Sequence, residues 1–255
     1  MTIPEEGLPS HPDPAARSRL QRAGDWVARQ ANGVFGYVLL RVFLLYESTL
    51  EIYAVGTECL HRAKGSGRPV LVTLWHGKGL LPICYLENQQ LCLYASHTRE
   101  PETYARSVNE SVRGLGLHLM QGFGYRIVDA SLFKSEAHGV VKYIHELKSA
   151  PGGVIAPDGP AGPACVAKPG AAYIAARAGA IILPVGAAIS RGVELDQWDR
   201  FEVPKPFARC ALAFGQPMDP PAKATEADLA GAAASLQGSL ERQVERAAAL
   251  LKSLE

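Results

Sequence analysis

Several features that identify common classes of protein are missing from this sequence of 255 residues. Its formal net charge is only +1, so no overall positive field favours nucleic acid as a partner. The absence of a Gly-x-Ser-x-Gly elbow and of a Gly-x-x-x-x-Gly-Lys loop argues against a common serine hydrolase and a P-loop nucleotidase. The five cysteines form no Cys-x-x-Cys pair, so we expect no metal site and interpret them as buried thiols of a reducing cytoplasm.

Long hydrophobic runs are also missing, since none reaches the roughly 20 residues that a membrane-spanning helix needs. The most hydrophobic run, 34–46, contains Arg41 and follows a basic helical pattern at 17–32. Residues 17–58 are therefore predicted to be a helical, membrane-facing segment whose apolar run lies in the membrane surface. A helix buried in the core is the alternative. The polar, proline-rich residues 1–16 are predicted to be a disordered leader and not a signal peptide.

From residue 69 onwards, short apolar segments alternate with helical patterns. Strands are expected at 70–75, 91–95, 125–128, near 154 and 181, and at 210–214, with helices at 79–87, 101–119, 136–147 and after 168. Because parallel strands need helical crossovers, residues 59–255 are predicted to be one α/β domain with a mostly parallel sheet flanked by helices. Residues 226–255 predict a long C-terminal helix that docks on the domain or on a partner, and 198–207 an irregular loop.

Polar segments follow three of the predicted strands, where open α/β sheets place their sites. His76, flanked by glycine, is a candidate general base in a cleft, or else a structural histidine held at a loop. Arg99, in the polar segment after the second strand, could hold a phosphate or carboxylate, although that segment also has the pattern of a helix start. Asp158 is the one acid in a loop that contains two Gly-Pro corners, and it lies either beside a ligand or in an ordinary strand-to-helix turn.

Three motifs together carry a family resemblance. They are Leu74-Trp75-His76-Gly77-Lys78, Ser96-His97-Thr98-Arg99-Glu100-Pro101-Glu102, and Ala156-Pro157-Asp158-Gly159-Pro160-Ala161-Gly162-Pro163 followed by Lys168-Pro169-Gly170. The segments Trp198-Asp199-Arg200-Phe201, Pro204-Lys205-Pro206-Phe207 and Phe214-Gly215-Gln216-Pro217 extend the match to about residues 67–217. In these motifs the chain resembles the lysophospholipid acyltransferase-like family (DUF374), which is related to the glycerolipid acyltransferase superfamily.

The resemblance implies transfer of a fatty acyl chain from an acyl thioester to a hydroxyl or amine of a membrane lipid, with His76 as the general base. An acid normally stands at the position of Leu81. Glu102 is therefore expected to orient His76, with Asp158 as second choice, and backbone N–H groups near Gly77 or 159–162 to hold the oxyanion. The expected substrate-binding residues are Lys78, Ser96, Arg99, Glu100, Gly159, Pro160, Gly162 and Lys168.

The resemblance also implies a bacterial protein that works without a cofactor, in the cytoplasm and peripherally associated with the inner membrane. Acyl-CoA or acyl carrier protein is the expected donor, and a lysophospholipid, an amino-acid-based lipid or a lipid A precursor the acceptor. Two alternatives stay open. Leu81 and the glycine-poor segment 129–137 would suit a catalytically silent lipid-binding module, and the same histidine could hydrolyse a thioester or ester with water as the acceptor.

Overall fold

The computed structural model describes residues 37–95, 110–133 and 135–254, with only the backbone of 110–115. Residues 37–47 form α1. The further elements, in chain order, are β1 (Glu51–Val55), α2 (Thr57–Lys64), β2 (Val70–Thr73), α3 (Leu80–Tyr85), β3 (Cys92–Ala95), α4 (Glu110–Gly122), β4 (Arg126–Asp129), α5 (Glu136–Ser149), β5 (Gly152–Ile155), α6 (Gly170–Ala178), β6 (Ile181–Ile189), β7 (Gly192–Glu194), β8 (Glu202–Pro204), β9 (Arg209–Phe214) and α7 (Glu226–Ser253).

Seven strands form a central sheet in the order β1-β9-β6-β2-β5-β3-β4. The five strands from β6 to β4 are parallel, whereas β9 pairs antiparallel with β6 and parallel with β1. All four residues of β2 are buried, as expected for a strand with helices on both sides. The mostly parallel α/β fold predicted from the sequence is therefore confirmed.

Two hydrophobic cores lie on opposite faces of the sheet. The neighbours Leu71 and Val72 of β2 belong to different cores, because successive side chains of a strand point to opposite faces. Helices α1 to α3 cover one face, and α5, α6 and α7 cover the other. A Cβ at Gly186 would lie 2.2 Å from the backbone of Gln243, so this glycine lets α7 pack directly on β6. The long C-terminal helix is confirmed, and it docks on the domain.

Three expectations about local structure are corrected. Residues 51–55, assigned to the helical segment, form β1, so the α/β domain begins before residue 59. The predicted irregular loop at 198–207 contains β8, which pairs with β7 in a two-stranded hairpin. Four of the five free cysteines are buried, but Cys165 is exposed. The leader and the basic helical pattern lie outside the described residues.

Helix α1 has two apolar faces. Leu40, Phe43 and Leu44 pack against the core, whereas Val42 and Leu45 are exposed on the other side. The alternative of a helix that packs on the core is therefore confirmed for one face, and the membrane-facing role stays a prediction for the other. Within the ranges that the structure describes, no helix is long and apolar enough to cross a bilayer.

Candidate active site

His76 lies just beyond the carboxyl end of β2. The buried residues Leu74 and Trp75 continue the strand direction, and the chain then enters a 3-10 turn from His76 to Lys78. This turn brings the imidazole out of the core, so that 48% of its side chain is exposed. The position is the edge of a parallel sheet at which α/β proteins place their sites.

A buried carboxylate holds the imidazole. Nδ1 of His76 lies 2.5 Å from Oδ2 of Asp199, whose side chain is 1% exposed. Because an ionised carboxylate can only accept a hydrogen bond, Nδ1 carries the proton and Nε2 presents its lone pair; this tautomer is assigned from the partner. Among the residues described, none makes a hydrogen bond with Nε2. The arrangement therefore leaves one basic nitrogen accessible to a substrate.

The backbone of the β7–β8 hairpin approaches the His76 turn closely. A Cβ at Gly77 would lie 2.0 Å from the carbonyl oxygen of Asp199, so only glycine permits this contact. Next to Asp199, Arg200 has a φ of 51°. Oδ1 of Asp199 is buried and has no hydrogen-bond partner within the described chain. A buried unpaired acceptor costs roughly 1–3 kcal/mol, so the burial of this oxygen does not by itself stabilise the fold.

Asp158, the second choice as partner of the His76 ring, has a different structural position. It is 1% exposed, and its two oxygens accept the backbone N–H groups of His76 and Cys165, each at 3.1 Å. The prediction that it contacts the ring is corrected, because Asp199 occupies Nδ1. Asp158 instead joins the turn after β2 to the loop after β5. The first choice, Glu102, lies outside the described residues.

Two further segments form the walls around the imidazole. The rings of Trp198 and Phe201 lie 5.3 and 6.3 Å from that of His76, measured between centroids. Gly162 has a φ of +71°, and a Cβ there would lie 2.8 Å from Cε3 of Trp198. A Cβ at Gly159, which joins Pro160 through a cis peptide bond, would lie 3.7 Å from Cδ2 of His76. The imidazole of His76 is thus flanked by an aromatic wall and by the predicted Gly-Pro loop.

The two predicted lysines have partners within the site. Nζ of Lys78 donates to a carboxylate oxygen of Glu202, and Nζ of Lys168 donates to the carbonyl oxygen of Gly159 at 3.4 Å. The N–H of Gly159 is itself bonded to the carbonyl oxygen of Ala156 at 3.3 Å, so it is not a free donor for an oxyanion. The remaining predicted binding residues Ser96, Arg99 and Glu100 lie outside the described residues.

Three residues of the site, Asp199, Trp198 and Phe201, were not predicted from the sequence. Residues 198–201 contributed only to the family resemblance. An acid between two aromatic residues could nevertheless have been selected as a partner of His76, because Leu81 replaces the acid that normally supports the histidine. Leu81 is 3% exposed in the core. In the parts of the chain that are described, no group of three or more His, Cys, Asp and Glu residues could hold a metal ion.

Comparisons with known proteins give remote similarities. No family model matches the chain. An uncharacterized protein of Rickettsia prowazekii is 28% identical over 100 residues, which are 39% of this chain and 46% of that protein. The match therefore spans less than half of the relative's length. The 1-acyl-sn-glycerophosphate acyltransferase PlsC from Thermotoga maritima is 16% identical with a TM-score of 0.48, covering 91% of this chain and 84% of that one. Membership of the lysophospholipid acyltransferase-like family stays a prediction from the motifs.

Proposed function

We propose that this chain is an acyltransferase that moves a fatty acyl group from acyl-CoA or acyl carrier protein to a hydroxyl or amine of a membrane lipid. The observation that carries the proposal is the 2.5 Å contact between Nδ1 of His76 and Oδ2 of buried Asp199. A histidine with one nitrogen held by a carboxylate and the other accessible is the arrangement of a general base that activates a nucleophile.

In the proposed reaction, the acceptor O–H or N–H donates to Nε2 of His76. Nε2 removes this proton as the acceptor atom attacks the thioester carbonyl carbon, which gives a tetrahedral intermediate. Collapse of the intermediate breaks the carbon–sulfur bond, and the departing thiolate takes the proton back from Nε2. Asp199 keeps the productive tautomer and stabilises the transient imidazolium, a role that contributes several orders of magnitude in related triads.

The contact between Asp199 and His76 argues against the alternative of a catalytically silent lipid-binding module. That alternative was motivated by Leu81, which replaces the acid that normally supports the histidine. Here a carboxylate reaches the same imidazole from the β7–β8 hairpin, so the base does not need an acid at position 81.

The aromatic wall favours transfer over hydrolysis. Trp198 and Phe201 place apolar rings beside the imidazole, where they can pack against methylene groups of an acyl chain and limit the access of water. The exposed apolar face of α1 supports a membrane lipid as the acceptor and a peripheral position on the inner membrane.

A transfer assay tests the proposal. Purified protein is incubated with radiolabelled acyl-CoA or acyl carrier protein and with vesicles of a bacterial lipid extract, and the label is followed into lipid. We expect transfer by the wild type, loss of transfer in His76→Ala, and unchanged transfer in His145→Ala, which removes an exposed histidine of α5. Full activity of His76→Ala contradicts the mechanism. Release of free fatty acid without an acceptor indicates a hydrolase, and lipid binding without transfer indicates the silent module.

A further inference from the structure

A cavity that the proposed reaction does not use lies at the amino edge of the sheet. Val70, Leu91 and Pro151, at or directly before the first residues of β2, β3 and β5, line it. These strands are parallel neighbours, so their starts lie side by side. The cavity has a volume of about 590 Å³, which is within the range of small-molecule sites. Because β2 runs from Val70 towards His76, the cavity and the imidazole are roughly 15–20 Å apart.

The floor of this amino-edge cavity is apolar. Leu60 of α2 and Leu86 after α3 reach it from the helices, and Val70, Val72 and Leu91 reach it from the sheet. All five side chains are between 1 and 6% exposed and belong to the core that α1 to α3 cover. An alkyl group that entered the cavity would therefore lie on the core, where burial of its methylene groups is favourable.

The rim of the amino-edge cavity is positively charged. Lys64 and Lys148, near the ends of α2 and α5, are exposed there. None of the described residues that line the cavity is acidic. Arg68 also lines it, but its guanidinium donates to Asp219 at 2.5 Å and to the carbonyl oxygen of Gly179 at 2.9 Å. The charge that is left without an opposing acid is therefore that of the two lysines.

Neither lysine has an anionic partner. Nζ of Lys64 donates to the side-chain oxygen of Gln89 at 2.5 Å, which is a neutral group. Lys148 makes no side-chain hydrogen bond or ion pair within the part of the chain that the structure describes. Two ammonium groups above an apolar floor are complementary to a molecule with an acidic head and an alkyl chain, because ammonium and phosphate or carboxylate form strong charge-assisted hydrogen bonds.

The helix dipole gives a competing explanation, since a lysine in the last turn complements the negative end of a helix. The helix ends are already capped by backbone groups. In α2 the carbonyl oxygen of His61 accepts the N–H of Gly65 at 2.9 Å, and in α5 that of Glu146 accepts the N–H of Ala150 at 3.0 Å. Lys252 has the same position in the last turn of α7 but does not line the cavity, so it separates the two explanations by experiment.

We propose that the amino-edge cavity binds a small anionic amphiphile, with its phosphate or carboxylate between Lys64 and Lys148 and its alkyl chain on the apolar floor. The two lysines select an acidic head, and the floor selects an amphiphile over a free ion. Because the cavity and His76 lie at opposite edges of the sheet, this site is separate from that of the proposed reaction, and the inference does not depend on that reaction.

Isothermal titration calorimetry with octyl phosphate, kept below its micelle concentration, tests the proposal. We expect saturable binding of one molecule and similar binding of octanoate, whose carboxylate has the same charge-assisted chemistry. Inorganic phosphate lacks the chain and octyl glucoside lacks the charge, so each is expected to bind at least about tenfold more weakly. Added salt is expected to weaken the binding of octyl phosphate, because the rim is exposed to solvent.

Variants place the ligand in the molecule. Lys64→Gln combined with Lys148→Gln is expected to weaken octyl phosphate binding at least about tenfold, with the unfolding temperature and the acyl transfer of the wild type. Lys148→Gln alone keeps the test valid if the double variant unfolds, because its loss breaks no contact among the described residues. Lys252→Gln, the matched control, and His76→Ala, which alters the opposite edge, are both expected to bind as the wild type does.

Several results would overturn the inference. The wild type may not take up octyl phosphate saturably, or it binds octyl glucoside equally well, which removes the role of the lysines. Equal affinity for inorganic phosphate removes the role of the apolar floor. Equal affinities of the wild type and the Lys64 and Lys148 variants, or equal weakening in Lys252→Gln, show that the rim does not hold the head group. Loss of binding in His76→Ala assigns the ligand to the active-site cleft.

Discussion

Replacing Asp199 by asparagine directly tests the proposal that His76 is a general base supported by this carboxylate. The substitution keeps the shape of the side chain but removes the obligate acceptor. If the new amide donates its N–H to Nδ1 of His76, the ring proton moves to Nε2, which can then no longer accept the proton of the substrate. In a histidine-dependent triad the same exchange lowers kcat by about 10⁴. We therefore expect a 10³- to 10⁴-fold loss, which is about 4–5.5 kcal/mol of barrier.

The structure also predicts what Asp199→Asn leaves unchanged. In the wild type the side chain of Asp199 is 1% exposed and contacts the imidazole. Because a side chain buried in this way does not touch the substrates, KM for donor and acceptor is expected to stay within about twofold. The free energy of unfolding is expected to change by less than roughly 1–2 kcal/mol, because the variant removes a buried charge whose Oδ1 has no partner among the described residues. Initial rates over both substrates and thermal unfolding measure these quantities.

A matched control exists in the same hairpin. Asp196 is exposed, and Asp196→Asn is expected to keep full activity and stability. The role assigned to Asp199 fails if Asp199→Asn retains more than a tenth of the wild-type kcat, or if Asp196→Asn loses as much activity. It also fails if Asp199→Asn loses activity only in proportion to the fraction of protein that has unfolded.

Three further predictions concern residues around the base. In Gly77→Ala the added methyl group would lie 2.0 Å from the carbonyl oxygen of Asp199, so Asp199 must shift and kcat is expected to fall about 10²-fold. The control Gly170→Ala, where a Cβ meets no atom within 4 Å, is expected to keep its activity. Equal rates for the two variants would contradict the close approach. Asp158→Asn leaves one of two backbone N–H groups facing an amide NH2 and is expected to lower the free energy of unfolding in urea by about 1–3 kcal/mol; an unchanged midpoint would exclude this bridging role. Although the residue Cys165 is exposed, partial burial of its thiol, and after it the charge of Asp158, raises the pKa of that thiol. Less thiolate therefore exists at a given pH, and maleimide labelling, which Cys165→Ser abolishes, is expected to keep accelerating above pH 9; a labelling rate that has levelled off by pH 9 would contradict it.

The parallel part of the sheet could be predicted because its signals are local. The run Val70–Thr73 is apolar or β-branched throughout, as a strand covered on both faces must be. Leu74 and Trp75 continue the apolar run, and the polar His76 that follows them marks the edge of the sheet. The position of His76 at a strand end followed from the same pattern.

The edge strand β1 and the hairpin depend on distant partners. The segment Glu51–Val55 follows a helical run and becomes a strand only because it pairs with β9. Residues 202–204 are short and end in proline, and their pairing with β7 is not visible in their own sequence. Strand propensity is a weak guide where cross-strand contacts decide the outcome.

The partner of His76 could not be derived from spacing. Asp199 reaches the ring because the chain leaves β6, turns through the hairpin and returns antiparallel as β9. Gly77 and Gly162 each permit a close approach, but only the structure shows that the approaching groups are Asp199 and Trp198. Glycine in a sequence indicates that space is needed and does not identify what occupies it.

His76 and Asp199 are 123 positions apart in the chain. Insertions or deletions between them can therefore accumulate without separating the pair, provided that the hairpin still closes on the turn at Gly77. A sequence search that demands an acid at a fixed interval after the histidine will miss every chain built in this way. A search for an imidazole and a carboxylate at this distance in space, with a glycine behind the histidine, would find such chains whatever the length of the intervening loops.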